Sequence, residues 1–165
     1  MSELPEVKAV KLDLEDEWLT ISFNQPEKRN ALTEELTNDL KNIIETTKDD
    51  LTIRGVTMRG EGGIFCAGGD LKMFKTGFQG GEQGKSDVTQ ASKLTGKFFE
   101  MVNSYPKPVI MSVEGAAMAG GLGLMTTGDV VIVTKDCKFS STNCNWSFSE
   151  HLQVFTFFSN GSSPI

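Results

Sequence analysis

Apolar and polar positions alternate over Val7 to Asp13 and again over Trp18 to Phe23, with the acidic turn Glu15-Asp16 between them, which predicts a two-stranded hairpin. Past Pro26 the period changes. Leu36, Leu40, Ile43 and Ile44 recur at i, i+4, i+7 and i+8, one face of a helix, behind the hydroxyl of Thr33 and the acids Glu34-Glu35 that suit a helix start. That helix is expected to end near Asp49-Asp50. Ile53 to Arg59 reads as a short strand closed by Gly60-Glu61-Gly62-Gly63, and the Gly-, Gln-, Lys- and Ser-rich stretch from Thr76 to Asp87 as a mobile loop. A second amphipathic helix is expected from about Thr89 to Ser104 with Leu94, Phe98, Met101 and Val102 inward, halted by Pro106 and Pro108. Val109 to Val113 and Val130 to Val133 are apolar on consecutive positions, as for strands of a sheet covered on both faces. The order β-β-α-β-α-β-α-β predicts an α/β chain without an internal repeat.

The 165 residues suffice for one domain with a substantial core. A formal net charge of −6 argues against a nucleic-acid or anionic-membrane surface, so a polyanionic ligand has to be met by local charge, for which Lys28-Arg29 and Lys72 with Lys75 are the candidates. Three widely spaced cysteines and a single histidine, His151, predict neither a disulfide framework nor a metal site. Acids scattered from Glu3 to Glu17 exclude a secretory leader in that stretch, and no apolar run is long enough for a bilayer, so a cytoplasmic setting is the expectation.

Two glycine clusters stand at strand ends. Phe65-Cys66-Ala67-Gly68-Gly69-Asp70-Leu71-Lys72 is one, and Ala116-Ala117-Met118-Ala119-Gly120-Gly121-Leu122-Gly123-Leu124 follows the apolar run Val109 to Val113. Upstream of them are Asn24-Gln25-Pro26-Glu27-Lys28-Arg29-Asn30-Ala31-Leu32 and Pro106-Lys107-Pro108-Val109-Ile110. Taken in this order, over roughly residues 7 to 139, the four motifs resemble the crotonase (enoyl-CoA hydratase/isomerase) family. The resemblance implies a spiral of ββα units and an acyl-CoA or enoyl-CoA substrate, with coenzyme A entering as part of that substrate and no separate cofactor.

By the same resemblance, the Gly69 and Gly120 N–H groups hold the thioester oxygen in an oxyanion hole. Small residues there let the ligand reach main-chain donors. Ala67, Asp70 and Leu71 match positions around the adenine, and Lys28, Arg29 and Ala31 match the loop beside the nucleotide and pantetheine; Lys72, Met118, Gly121 and Gly123 complete the implied binding set. Some of these residues also suit plainer roles. The glycines fit tight strand-to-helix turns, Asp70 could cap a short helix beginning at Leu71, and Cys66, between Phe65 and Ala67, reads as a small buried hydrophobe.

The chain departs from the family where protons move. Hydratases place one glutamate three residues after the second oxyanion glycine and another just after the next strand; here those positions read Gly123 and Asn143, neither of which can serve as a general base. From about residue 140 the composition turns to Ser and Phe, and a shifted reading frame near residue 142 would explain it: Asn145 to Glu150 can be back-translated so that the next frame reads Ile-Gly-Leu-Ser-Pro, a family-like motif. The expected division is therefore an incomplete crotonase-like core over 1–139 and a poorly ordered, non-family tail over 140–165. Such a fragment is expected to be inactive and to lack the trimer or hexamer that intact relatives build. Two alternatives are a short acyl-CoA-binding pseudoenzyme or interaction subunit, and a dinucleotide-binding module. The run Gly121-Leu122-Gly123-Leu124-Met125-Thr126 lacks the last glycine that the dinucleotide fingerprint needs.

Overall fold

A computed structural model describes residues 4–70, 81–141, 144–147 and 153–155 of the chain. Strand β1 (Val10–Glu15) pairs antiparallel with β2 (Trp18–Phe23), and β3 (Gly55–Gly60), β4 (Val109–Val113) and β6 (Val130–Val133) then add in parallel. With β9 (Gln153–Phe155) antiparallel on β6, the first sheet runs β1-β2-β3-β4-β6-β9. A second sheet runs β5-β7-β8, from β5 (Ala116–Met118), β7 (Lys138–Ser141) and β8 (Cys144–Ser147).

Parallel bridges extend the second sheet back through the chain, from Ala117 to Cys66 and from Gly69 to Leu32. Each turn thus lays one strand in the first sheet and one short segment beside the previous turn's in the second. The arrangement agrees with the spiral of ββα units that the resemblance implies.

Helix α1 (Glu34–Thr47) forms for the reasons its pattern announces. The Thr33 hydroxyl accepts from the Leu36 N–H at 3.2 Å, a cap worth about 1 kcal/mol, and Leu36, Leu40, Ile43 and Ile44 are all buried. Each such side chain contributes roughly 1.5–3 kcal/mol on leaving water. At its far end Lys107 turns its ammonium onto the carbonyls of Thr47 and Asp50, a cation where the helix dipole is negative. The core beneath holds Phe23 against Phe65, ring centroids 5.3 Å apart.

Three expectations need correction. Helix α2 (Gly81–Asn103) starts eight residues before Thr89, so Gly81 to Asp87 is helix rather than loop; residues 76–80 lie outside the described set. Once Phe98 and Val102 anchor its second half, each further residue adds a hydrogen bond and outweighs the roughly 1 kcal/mol penalty of a glycine. Leu94 is 48% exposed instead of inward. In β4 and β6 only alternate residues are fully buried: Val109, Met111, Val113, Val131 and Val133 point into the core, while Ile110, Ser112, Val130 and Ile132 are half-buried on the opposite face.

Short helix α3 (Gly120–Met125) follows β5 directly, so the second glycine cluster spans a strand and a helix start, as the strand-to-helix reading expects. Within 140–165, the end of β7 and the strands β8 and β9 are described, and residues 142–143, 148–152 and 156–165 lie outside the described set.

Candidate functional site

The loop after β2 makes a single 3-10 turn, Pro26–Lys28, and then two consecutive residues take the left-handed conformation, Arg29 at φ 55° and Asn30 at φ 50°. Asparagine tolerates that region better than most residues because its short side chain bonds locally. Here Asn30 Oδ1 accepts from the Gln25 N–H at 2.9 Å, and Nδ2 donates to the carbonyls of Glu61 at 2.9 Å and Ile64 at 2.7 Å. The loop is thereby tied to the turn leading into the first glycine cluster. Gln25 in turn donates to Glu35 Oε2 at 2.6 Å and accepts from the Thr33 hydroxyl at 3.0 Å.

From that turn the chain runs beside the loop. Ala67 N–H donates to the Arg29 carbonyl at 3.0 Å and Leu32 N–H to the Gly68 carbonyl at 2.7 Å. In a parallel pairing of this register, the N–H of Gly69 points away from Leu32. On the other side Cys66 N–H donates to the Ala116 carbonyl at 3.1 Å and Met118 N–H to the Cys66 carbonyl at 2.9 Å. The two glycine clusters run side by side through the Cys66–Ala117 bridge.

Their glycines meet. A Cβ on Gly120 would stand 3.5 Å from the Gly69 nitrogen and 3.1 Å from Leu32 Cδ1, and a Cβ on Gly68, at φ +97°, would stand 3.3 Å from the Gly120 nitrogen and 2.7 Å from the Met118 carbonyl oxygen. By standard backbone dimensions the Gly69 and Gly120 nitrogens are no more than about 6 Å apart. Gly120 opens α3, where the first-turn N–H groups have no intrahelical acceptor. Ala119 before it holds φ 44° and ψ −110°, a conformation costly for a residue with a Cβ, and is fixed there by its N–H bond to the Ser140 carbonyl at 2.6 Å.

Lys28, Arg29, Ala31, Ala67, Gly69 and Asp70 line one cleft of about 810 Å³, together with Glu27, Thr33, Glu34, Glu35 and Asn38. Leu71 and Lys72 lie outside the described residues. Four carboxylates against two cations make the cleft acidic as a whole, and Lys28 Nζ stands 4.0 Å from Glu35 Oε2, both side chains about half exposed, a pair of little energetic weight. A Cβ on Gly121 would collide with the Cys66 carbonyl, and one on Gly123 would lie 2.8 Å from Phe99 Cε2. Asn143, where the resemblance implies a glutamate, lies outside the described residues.

Cys66 is fully buried, its Sγ accepting from the Gly68 N–H at 3.5 Å, and loss of water pushes its thiol up to about 11. A thiol so hard to ionise is a poor nucleophile. Among the described residues, no group of three His, Cys, Asp or Glu side chains is placed to hold a metal, and no helix is long and apolar enough to cross a membrane.

The α/β spiral thus sets two glycine turns side by side, with Gly69 lining the cleft. The pattern of the enoyl-CoA hydratase/isomerase family matches residues 18–152, and the chain belongs to that family. It is 31% identical over 134 residues to enoyl-CoA hydratase EchA19 of Mycobacterium tuberculosis, a match that covers 78% of this chain and 47% of the relative. A hydroxycinnamoyl-CoA hydratase-lyase of Pseudomonas fluorescens is 29% identical over 84% of this chain and 50% of its own length. The crystal structure of an enoyl-CoA hydratase/isomerase from Marinobacter aquaeolei superposes with a TM-score of 0.72 at 33% identity, over 79% of this chain and 50% of that one. The chain spans about half the length of the relatives it matches.

Proposed function

We propose that the chain binds an acyl-CoA thioester and polarises its carbonyl between the Gly69 and Gly120 N–H groups. Enolate formation or addition to a conjugated double bond puts negative charge on the thioester oxygen, and a fixed donor aimed at that oxygen is worth about 3 kcal/mol in the transition state. What carries the reading is the approach of the two glycines: Gly69 N lies 3.5 Å from where Gly120 would bear a Cβ, which puts the two backbone nitrogens within reach of one oxygen. The nucleotide end of the ligand falls to the cleft, with Ala67 and Asp70 beside the adenine and Lys28, Arg29 and Ala31 beside the phosphates and pantetheine.

Turnover is a separate matter. With no side chain at Gly123 and an amide at Asn143, neither position supplies a proton acceptor, so we infer binding and polarisation without hydratase or isomerase turnover. Calorimetric titration tests the binding half. Butyryl-CoA is expected to bind more tightly than its thioether analogue, which keeps the chain and the nucleotide but lacks the carbonyl, by about tenfold, the worth of one to two net hydrogen bonds. Equal affinities would remove the paired-donor reading. Crotonyl-CoA hydration at a rate of even about 1 per second, low in the ordinary enzyme range, would show that another group carries the proton.

A further inference from the structure

Asn30 is fully buried, and all three of its side-chain hydrogen bonds go to main-chain atoms. Two of these partners, the Glu61 and Ile64 carbonyls, flank the turn that starts the Gly69 strand, while the third, the Gln25 N–H, lies at the base of the cleft loop. One carboxamide therefore joins the loop to the strand that carries a proposed donor. The bonds on either side of it set the register: Ala67 N–H to the Arg29 carbonyl just before Asn30, and Leu32 N–H to the Gly68 carbonyl just after. A slip of one residue would turn the Gly69 N–H toward Leu32 and away from Gly120, because successive N–H groups along a strand point to opposite sides.

We infer that Asn30 is a positioning residue for the Gly69 amide. It rests on the reading of Gly69 and Gly120 as paired donors, and it adds that the aim of one donor is set from the neighbouring loop after β2. A purely structural asparagine would lower stability when replaced and leave the carbonyl polarisation of bound ligand unchanged. A positioning asparagine alters that polarisation in the molecules that remain folded.

The test is the infrared stretch of a carbon-13-labelled thioester carbonyl in butyryl-CoA, saturating the full 165-residue chain. Two variants are compared. Asn30→Gly keeps the left-handed backbone and releases all three partners, and Asn30→Asp keeps the acceptor for Gln25 while removing the donors to Glu61 and Ile64. The unsubstituted chain is expected to lower the carbonyl frequency relative to free ligand, and both variants to lose at least about half of that shift, as expected for one donor of two. A full shift in either folded variant overturns the assignment of Asn30 while leaving the paired donors standing. No shift in the unsubstituted chain overturns the paired donors first and this proposal with them. Loss of the melting transition in both variants assigns Asn30 to stability alone and also overturns it.

Discussion

Gly123 faces the ring of Phe99, with Phe99 Cε2 2.8 Å from where a Cβ on Gly123 would stand. An aromatic side chain from α2 thus crowds the position where the family resemblance implies a glutamate. Gly123→Glu is expected to destabilise the chain by about 1–3 kcal/mol, the range for overpacking, and to give no hydratase activity. Gly123→Glu combined with Phe99→Ala is expected to recover part of that loss. Thermal melts of the single and double variants check the stabilities, and a crotonyl-CoA hydration assay checks the activity.

Gly120→Ala places a methyl 3.5 Å from the Gly69 nitrogen and 3.1 Å from Leu32 Cδ1. Neither contact is prohibitive, so the fold should persist. The methyl nonetheless stands against the Gly69 nitrogen, where the proposed thioester oxygen would bind. Affinity for butyryl-CoA is expected to fall by about tenfold while affinity for coenzyme A stays level, which titration of both ligands measures.

Ala119 offers the opposite case. Its φ of 44° and ψ of −110° suit glycine, and the strain of such a residue is on the order of 1–3 kcal/mol. Glycine relieves that strain and loses about 0.4–1 kcal/mol through the freer unfolded chain. Ala119→Gly is expected to raise stability by about 1 kcal/mol in denaturant unfolding. A lower unfolding midpoint would place the strain elsewhere in the turn.

The buried thiols set a limit at high pH. Burial pushes Cys66 from 9.0 to about 11, and burial together with the neighbouring Asp136 carboxylate does the same for Cys137. The folded state therefore keeps its protons longer than the unfolded state. This stabilisation is fully present below pH 9.0 and is lost as pH rises through about 11. Urea midpoints should decline over that window, and less steeply in a Cys66→Ala, Cys137→Ala double variant. Identical slopes would assign the decline to other groups.

Much of the fold is legible in local pattern. Trp18–Phe23, Val109–Val113 and Val130–Val133 are strands with the bounds their apolar runs suggest, and α1 buries the four residues its period selects. What depends on distant partners is not legible. Ala116–Met118 is a strand because Ala117 pairs with Cys66 and Phe139, and nothing in a run of small residues announces it. Leu94 falls on the exposed side because α2 extends beyond the core that anchors its far end. At the site, both glycine turns and the Lys28-Arg29 loop are visible as motifs. The role of Asn30 is not, since two of its partners lie 31 and 34 residues away. The acidic lining contributed by Glu34 and Glu35 is masked as well, because the same residues read as the first turn of α1.

Amide proton shifts in the isotopically labelled chain report directly on whether Gly69 and Gly120 share one thioester oxygen. On titration with butyryl-CoA, the two N–H resonances are expected to move downfield together, as new hydrogen bonds require, with one common affinity; the thioether analogue should leave both in place. Movement of only one, or equal movement with both ligands, would contradict the sharing.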